Sequence, residues 1–365
     1  MKYLFAFILL VHGCIHLLGF LKAFDLSEIQ QLTRSIPRVA GMLWLFAVLL
    51  FFITMVGLLM GQSWWFYLAI VSVFVSQILI VMVWQDAKFG TIANGIILLV
   101  AILAWTDHRF ESQFRRDTQL NLDRVESLPA DVLTEADIAH LPQPIQHYMR
   151  YAGVLNQPSV NHFQLMFSGQ MRGKGQDWFN FESIQYNFFD VPSRHFFMRG
   201  KFFGLSLPGY HKYQNGHAGM EVSFFGVFPV VKVSGPEMDI AETVTFFNDL
   251  CLFAPAALID DRITWQTISD EEVIATFSYK QISIKAKLRF NAQGQLVDFI
   301  SEDRYEVNEM KQLPFSTPVF SYTHLNGRNV VSYGEGVWHY PEGPFVYGKF
   351  RLEDVAYNVA NMEGF

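Results

Sequence analysis

His12 and His16 stand four residues apart, so in a helix both imidazoles project from one face. That spacing suits a metal or haem iron shared with a second helix, a proton relay, or plain hydrogen bonding inside a bundle. Two imidazoles do not complete a coordination sphere, and Gln77, Asp86 and Asn94 are the polar residues available as partners. Ionisable groups within an apolar segment are costly and therefore functional candidates. A second set is aromatic: Trp178, Phe181, Tyr186, Phe197, Tyr210, Tyr213, Phe253, Trp265 and Trp338, with Phe203 and Phe225 beside them. The chain holds 36 Phe, many of them beyond residue 160 in its more polar part. Such residues build an ordinary core or the wall of an apolar ligand cavity, and both readings stay open. Met166, Met171, Met198 and Met220 would give a cavity adaptable walls.

Three smaller groups follow. Residues 204–217 are rich in Gly, His and Tyr and suit a mobile rim loop, with His211 and His217 near enough to meet across a hairpin. Glu302, Arg304 and Glu306 alternate on one expected strand face, either binding a charged group with Asp303 or forming a solvated ladder. Asp86 and Lys88 sit in a compact polar turn, suited to anchoring at an interface or to a head group.

The chain carries neither GxxxxGK[ST] nor HExxH, and Ser183, Ser206 and Ser234 lack the glycines of a GxSxG elbow. These absences lean away from an enzyme, and no residue pattern points to a particular cofactor. A net charge of −7 gives no basic footprint, which argues against nucleic-acid binding. Cys14 and Cys251 lie in different regions and imply no disulfide framework.

The elements that must position these groups divide sharply. Residues 1–21, 39–60, 64–84 and 89–105 are apolar runs, near the ~20 residues a helix needs to cross a bilayer. No small-x-small cleavage site follows the first run, so it reads as a retained span rather than a signal peptide. The fourth run is the weakest, being short and holding Asn94 and Gly95. Expected are a transmembrane four-helix region over 1–106, a linker and surface helix over 107–140, and a β domain over 141–365. Lys22, Arg34, Arg38 and Lys88 flank the short loops of one side and lean those loops toward the cytoplasm. The expected location is a bacterial inner (cytoplasmic) membrane, multi-pass, with the β domain on the external or periplasmic side.

Within residues 107–140, Thr134 is placed as an N-cap with Asp137 three residues on, and residues 145–151 suit a second short helix. Beyond residue 160 the pattern has period two. Ile282, Ile284, Ala286, Leu288 and Phe290 point one way and Ser283, Lys285, Lys287 and Arg289 the other, as in a half-buried antiparallel strand. The turn at 291–294 leads into a strand at 296–305. Further strands are expected at 162–172, 178–188, 195–203, 220–233, 263–267, 272–279, 319–326, 329–340 and 345–357, with one helix at 238–251. The fold class is thus a membrane α-helical bundle of four spans plus a mostly antiparallel β domain, a curved sheet or half-barrel with one or two packed helices.

Several motifs follow one another in the C-terminal region: Leu141-Pro142-x-Pro144, Tyr148-x-Arg150-x-Ala152-Gly153, and Gly169-Gln170-Met171-Arg172. Phe228-Pro229-Val230-Val231, Gly235-Pro236-Glu237, Phe253-x-Pro255, Ile263-x-Trp265 and Glu302-x-Arg304-Tyr305 follow. As a set over roughly 140–360 they resemble an uncharacterised bacterial family of domains of unknown function, which implies no activity. The sheet-plus-helix layout is also similar to LolA-like lipoprotein-carrier half-barrels, whose cavity holds acyl chains; that likeness is one of architecture. The reading that joins these features is a membrane-anchored protein holding a lipid or other apolar ligand in an aromatic cavity, with the bilayer as its other partner. Two alternatives stand beside it: a membrane scaffold or sensor for a membrane protein partner, and a metal or haem redox protein using His12 and His16.

Overall fold

The structure is a computed structural model that describes residues 2–202 and 205–362. Two compact units share the chain: residues 1–109 with 225–227, and residues 110–224 with 228–365.

The first unit is helical. Helices α1 (Lys2–Ala23), α2 (Arg38–Leu59) and α3 (Trp65–Met82) precede a single turn, α4 (Trp84–Ala87), and a long helix, α5 (Gly90–Val125). Four of these, α1, α2, α3 and α5, are long and apolar enough to cross a membrane. Their outward faces carry exposed Phe7, Phe46, Phe52, Phe74 and Leu99, a pattern that suits lipid contact and not water. Small residues bring the helices close: Gly19 lies flat against the Trp44 indole, where a side chain would collide. The fourth helix does not stop at Trp105. Its 36 residues span about 54 Å at 1.5 Å per residue, well beyond the ~30 Å of a hydrocarbon core. From Phe110 on the helix belongs to the second unit; this part is polar overall, yet Phe110, Phe114, Thr118, Asn121, Leu122 and Val125 form a buried stripe at helical spacing.

The second unit is a curled antiparallel half-barrel. Short helices α6 (Glu135–Ile138) and α7 (Gln143–Tyr151) come first. The Thr134 N–H donates to Asp137 Oδ2 at 2.7 Å and starts α6 as expected, although the helix lasts one turn. Six strands then meander: β1 (His162–Met171), β2 (Phe179–Phe188), β3 (Ser193–Phe202), β4 (Leu205–Gln214), β5 (His217–Phe224) and β6 (Phe228–Ser234). Helix α8 (Pro236–Phe253) and a 3-10 turn (Pro255–Ile259) lead to β7 (Ile263–Thr267), β8 (Glu272–Tyr279), β9 (Ile282–Phe290) and β10 (Leu296–Ser301). A separate ribbon, β11 (Tyr305–Glu306) with β12 (Lys311–Gln312), precedes β13 (Phe315–Ser316), β14 (Val319–Leu325), β15 (Arg328–Tyr340) and β16 (Gly343–Tyr357).

Among the described residues, thirteen strands run in the order β6-β5-β4-β3-β2-β1-β16-β15-β13-β10-β9-β8-β7, with β14 paired to β15. The first strand therefore pairs with the last, Phe163 opposite Tyr357, near the middle of the sheet. Its two edges, β6 and β7, are consecutive in sequence. Their connection has to cross one face of the sheet, and α8 makes that crossing. Gly235, with φ of +121°, turns the chain from β6 into α8, a backbone region that side chains disfavour. Buried on nearly all sides, α8 packs Phe246 and Phe247 against Phe277 of β8.

Two expectations fail on turn geometry. Residues 204–217 are not a rim loop: from Leu205 on they form β4, paired with β3 and β5, while Gly204 lies outside the described residues. The single strand expected at 220–233 is a hairpin, its strands β5 and β6 joined by the three residues 225–227, with φ of 53° at Phe225 and 65° at Gly226. The β9 strand keeps its expected alternation, burying Ile284, Ala286, Leu288 and Phe290.

Candidate functional site

Between the concave face of the sheet and α8 lies a cavity of about 1250 Å³. That exceeds the ~300–1000 Å³ usual for small-molecule sites. Period-two geometry builds its walls. On β3, Arg194, Phe196 and Met198 line it; on β5, Met220, Val222 and Phe224 do so. Helix α8 contributes Met238, Ala241, Glu242, Thr245, Asn248, Asp249, Leu252 and Phe253, spaced as one helical face. Its apolar residues stand at both ends and its polar ones between them. Phe167, Phe315, Trp338, Phe345 and Phe350 close the opposite wall.

A charged network sits in this largely apolar space. Arg194 donates Nε–H to Asp249 Oδ2 at 2.6 Å, Nη1–H to Glu242 Oε2 at 3.1 Å and Nη2–H to Gln185 Oε1 at 3.0 Å. Gln185 in turn donates to Asp249 Oδ2 at 2.8 Å. His211 Nδ1 lies 3.8 Å from Glu242 Oε1. Burial pushes the Glu242 carboxyl up, but Arg194 and then His211 outweigh it and hold the group at about 2. At Asp249 burial prevails and its pKa is raised, with Arg194 opposing. Around the lining, Arg172, Lys174, Arg194 and Arg304 face Asp177, Glu242, Asp249 and Glu306, so the formal charges cancel. Arg304 stacks its guanidinium 4.0 Å from the Phe315 ring centroid and 5.0 Å from that of Trp338.

A model described as a family of unknown function, DUF6544, matches residues 131–350. The chain belongs to the DUF6544 family. The match takes in the cavity lining apart from Leu352 and omits α1 to α5. A comparison with curated proteins found no match. Among solved structures, a LolA superfamily protein from Nitrosomonas europaea is 11% identical and gives a TM-score of 0.35 over 58% of this chain and 93% of that one. A DUF1329 family protein from Desulfovibrio piger is 10% identical and gives 0.36 over 59% and 92%.

Of the nine aromatic residues singled out in the sequence of this DUF6544 protein, Trp178, Phe253 and Trp338 line the cavity. Phe181 and Tyr213 lie in the core beside it, Tyr213 accepting a hydrogen bond from Thr243 Oγ1 at 3.1 Å. Trp265 packs half-buried against the same core from β7. The structure does not bring Tyr186, Phe197 and Tyr210 to the cavity. They stand on the other face of the sheet, where Phe197 pairs in register with Tyr210 and with Ile184, and Phe110 and Phe114 of α5 cover them. A one-residue difference in strand position reverses the face, and the sequence alone did not settle it. Met171, Met198 and Met220 line the cavity and Met166 packs on that other face; Phe203 lies outside the described residues.

That second face carries its own polar chain. Asn121 donates to His195 Nε2 at 2.9 Å, His195 Nδ1–H meets Tyr210 Oη at 2.8 Å, and Tyr210 donates to Asp117 Oδ2 at 2.9 Å. Burial depresses the His195 pKa to about 3, which keeps the ring neutral.

The other sequence candidates resolve into ordinary contacts. His16 donates Nδ1–H to the His12 carbonyl at 2.8 Å and receives the Ser76 hydroxyl at 2.9 Å on Nε2. His12 Nε2 bonds Asn94 Oδ1 at 2.9 Å, and Asn94 donates to Gln77 at 3.0 Å. Among the described residues no group of three or more His, Cys, Asp or Glu is placed to hold a metal ion. Asp86 is not a partner of the histidines; its carboxylate receives the Thr33 N–H at 2.7 Å. His211 and His217 face different carboxylates, Glu242 and Asp239, and sit opposite Met220 and Gln214 in register. The Glu302–Glu306 ladder does not form, because β10 ends at Ser301 and Glu306 turns to cap Asn308 and Glu309. Arg194, Glu242, Asp249, Gln185 and Asn248 escaped the sequence reading. The one available signal was Glu242 and Asp249, two turns apart on one face of a helix whose C-terminal half is mostly apolar.

Proposed function

We propose that this protein is a membrane-anchored binding protein that holds a lipid or a similar apolar ligand in the half-barrel cavity. The observation that carries the reading is the cavity itself: about 1250 Å³, walled mainly by aromatic and aliphatic side chains and larger than a compact metabolite needs. Trp178, Phe253 and Trp338 are the proposed contacts for the ligand's apolar part. The four apolar helices would keep the domain beside its source of ligand, in a bacterial inner membrane with the β domain outside.

The test uses the full chain in proteoliposomes containing a phospholipid with a photoreactive acyl chain. Irradiation followed by peptide mapping should place label on cavity residues such as those of α8 and β5. Label confined to residues 2–105 would remove the cavity from the proposal, because annular lipid alone would account for it.

A further inference from the structure

The loop that joins β5 to β6 is apolar, and it is fastened to the end of the fourth membrane-length run of helix. Residues 225–227 belong to the helical unit. The Thr106 hydroxyl of α5 donates to the Phe225 carbonyl at 2.8 Å, sharing its proton with the Leu103 carbonyl of its own helix at 2.9 Å. Gly226 comes so near that a Cβ there would stand 2.7 Å from the Thr106 carbonyl oxygen, so only glycine allows the approach. Thr106 also marks a boundary in α5: the apolar run ends at Trp105, and Asp107, His108 and Arg109 follow. Tryptophan is enriched at the membrane–water interface, where polarity changes in this way. The loop is therefore held at that level of the helix. Val227 beside it is exposed, Phe228 is 63% exposed and Val230 is 54% exposed. A contiguous exposed apolar cluster marks a surface that meets lipid or a partner.

From this loop an apolar track leads inward. Phe224 stands opposite Phe228 in register and Val222 opposite Val231, and directly opposed residues share a face of the sheet. Phe224, Val222 and Val231 line the cavity. Among the described residues β6 is an edge strand, so the track runs along an open side of the sheet. Resting on the reading that the helices span a bilayer and the cavity holds lipid, we infer that the β5–β6 loop docks on the bilayer, with Val227 and Phe228 in its apolar margin, and that acyl chains enter the cavity along β5 and β6. The occupant of the patch is the bilayer, because the loop is tied to the end of an apolar run whose exposed Leu99 and Ile102 continue the same lipid-facing surface.

The experiment uses the full chain in proteoliposomes. Phe228→Cys, in a Cys14→Ser background that leaves only the buried Cys251, carries an environment-sensitive fluorophore. Phospholipid with brominated acyl chains should quench it, and aqueous iodide should not. In the second arm Phe228→Asp should slow photolabelling of α8 by the photoreactive phospholipid about tenfold, the smallest effect expected from withdrawing one Phe from an apolar phase, with the same residues labelled. Quenching by iodide without quenching by bromine overturns the docking surface. Shielding from both quenchers means that protein covers the loop, and overturns the bilayer as its occupant. An unchanged labelling rate in a folded Phe228→Asp protein overturns the entry route. In each of these cases continued cavity labelling of the parent protein leaves the cavity reading standing. Absence of cavity label from the parent removes that reading and the entry route together, while the quenching still decides the docking surface.

Discussion

Arg194 on β3 and Asp249 on α8 meet at 2.6 Å inside the half-barrel, 55 residues apart in sequence, and Glu242 completes the group from one helical face. One guanidinium thus serves two carboxylates in a space walled largely by apolar side chains. Such an arrangement fastens the crossing helix to the sheet at a defined position. It also leaves a strongly polar floor where a purely hydrocarbon ligand would gain nothing.

Removal of the cation should be costly. In Arg194→Met, two buried carboxylates lose their shared partner, and loss of one member of a buried pair typically costs about 3–5 kcal/mol. We expect a lower melting temperature for the full chain in detergent, and partial recovery when Glu242→Gln and Asp249→Asn are added. A melting temperature equal to that of the parent would show that the network contributes nothing to the fold.

Acid should loosen the face of the sheet covered by α5. His195 is buried with its pKa near 3, against an ordinary value of 6.5. Between those values the unfolded chain binds a proton that the folded chain refuses, so stability falls as pH drops from about 6.5 towards 3. The slope from this one group is at most about 1.4 kcal/mol per pH unit. Thermal melts at pH 7 and pH 5 should separate for the parent protein and separate less for His195→Gln; equal separations would remove His195 as the cause.

Bulk placed in the cavity should block the ligand without unfolding the domain. Val231 on the edge strand β6 is half-buried and lines the space. Val231→Trp is expected to reduce photolabelling of α8 by at least severalfold, with circular dichroism unchanged. Full labelling of a folded Val231→Trp protein would place the acyl chains elsewhere.

The histidine pair should prove structural. Ser76 links His16 and His12, so Ser76→Ala is expected to weaken the bundle by about 0.6–1.7 kcal/mol, the range found for hydrogen bonds between membrane helices. Added zinc or haem should leave the melting curve and the absorption spectrum of the purified protein unchanged. A metal-dependent rise in melting temperature that His16→Ala abolishes would reinstate a metal site.

What the sequence determined by itself was whatever depends on local period. Apolar runs near 20 residues marked the helices long enough for a membrane, strict alternation marked β9, and Thr134 with Asp137 marked the start of α6. Each is written within a few consecutive residues. What only the tertiary structure decided was which side of each element meets what. Tyr186, Phe197 and Tyr210 could not be separated from Trp178 and Trp338 by type, because the face they occupy depends on pairing with strands far along the chain. The polar stripe of α8 gained a role only once the edges β6 and β7, neighbours in sequence, fell at opposite ends of one sheet. That separation forces α8 across the concave face and brings Glu242, Asn248 and Asp249 over Arg194 and Gln185, where non-local strand pairing, not local propensity, sets the chemistry.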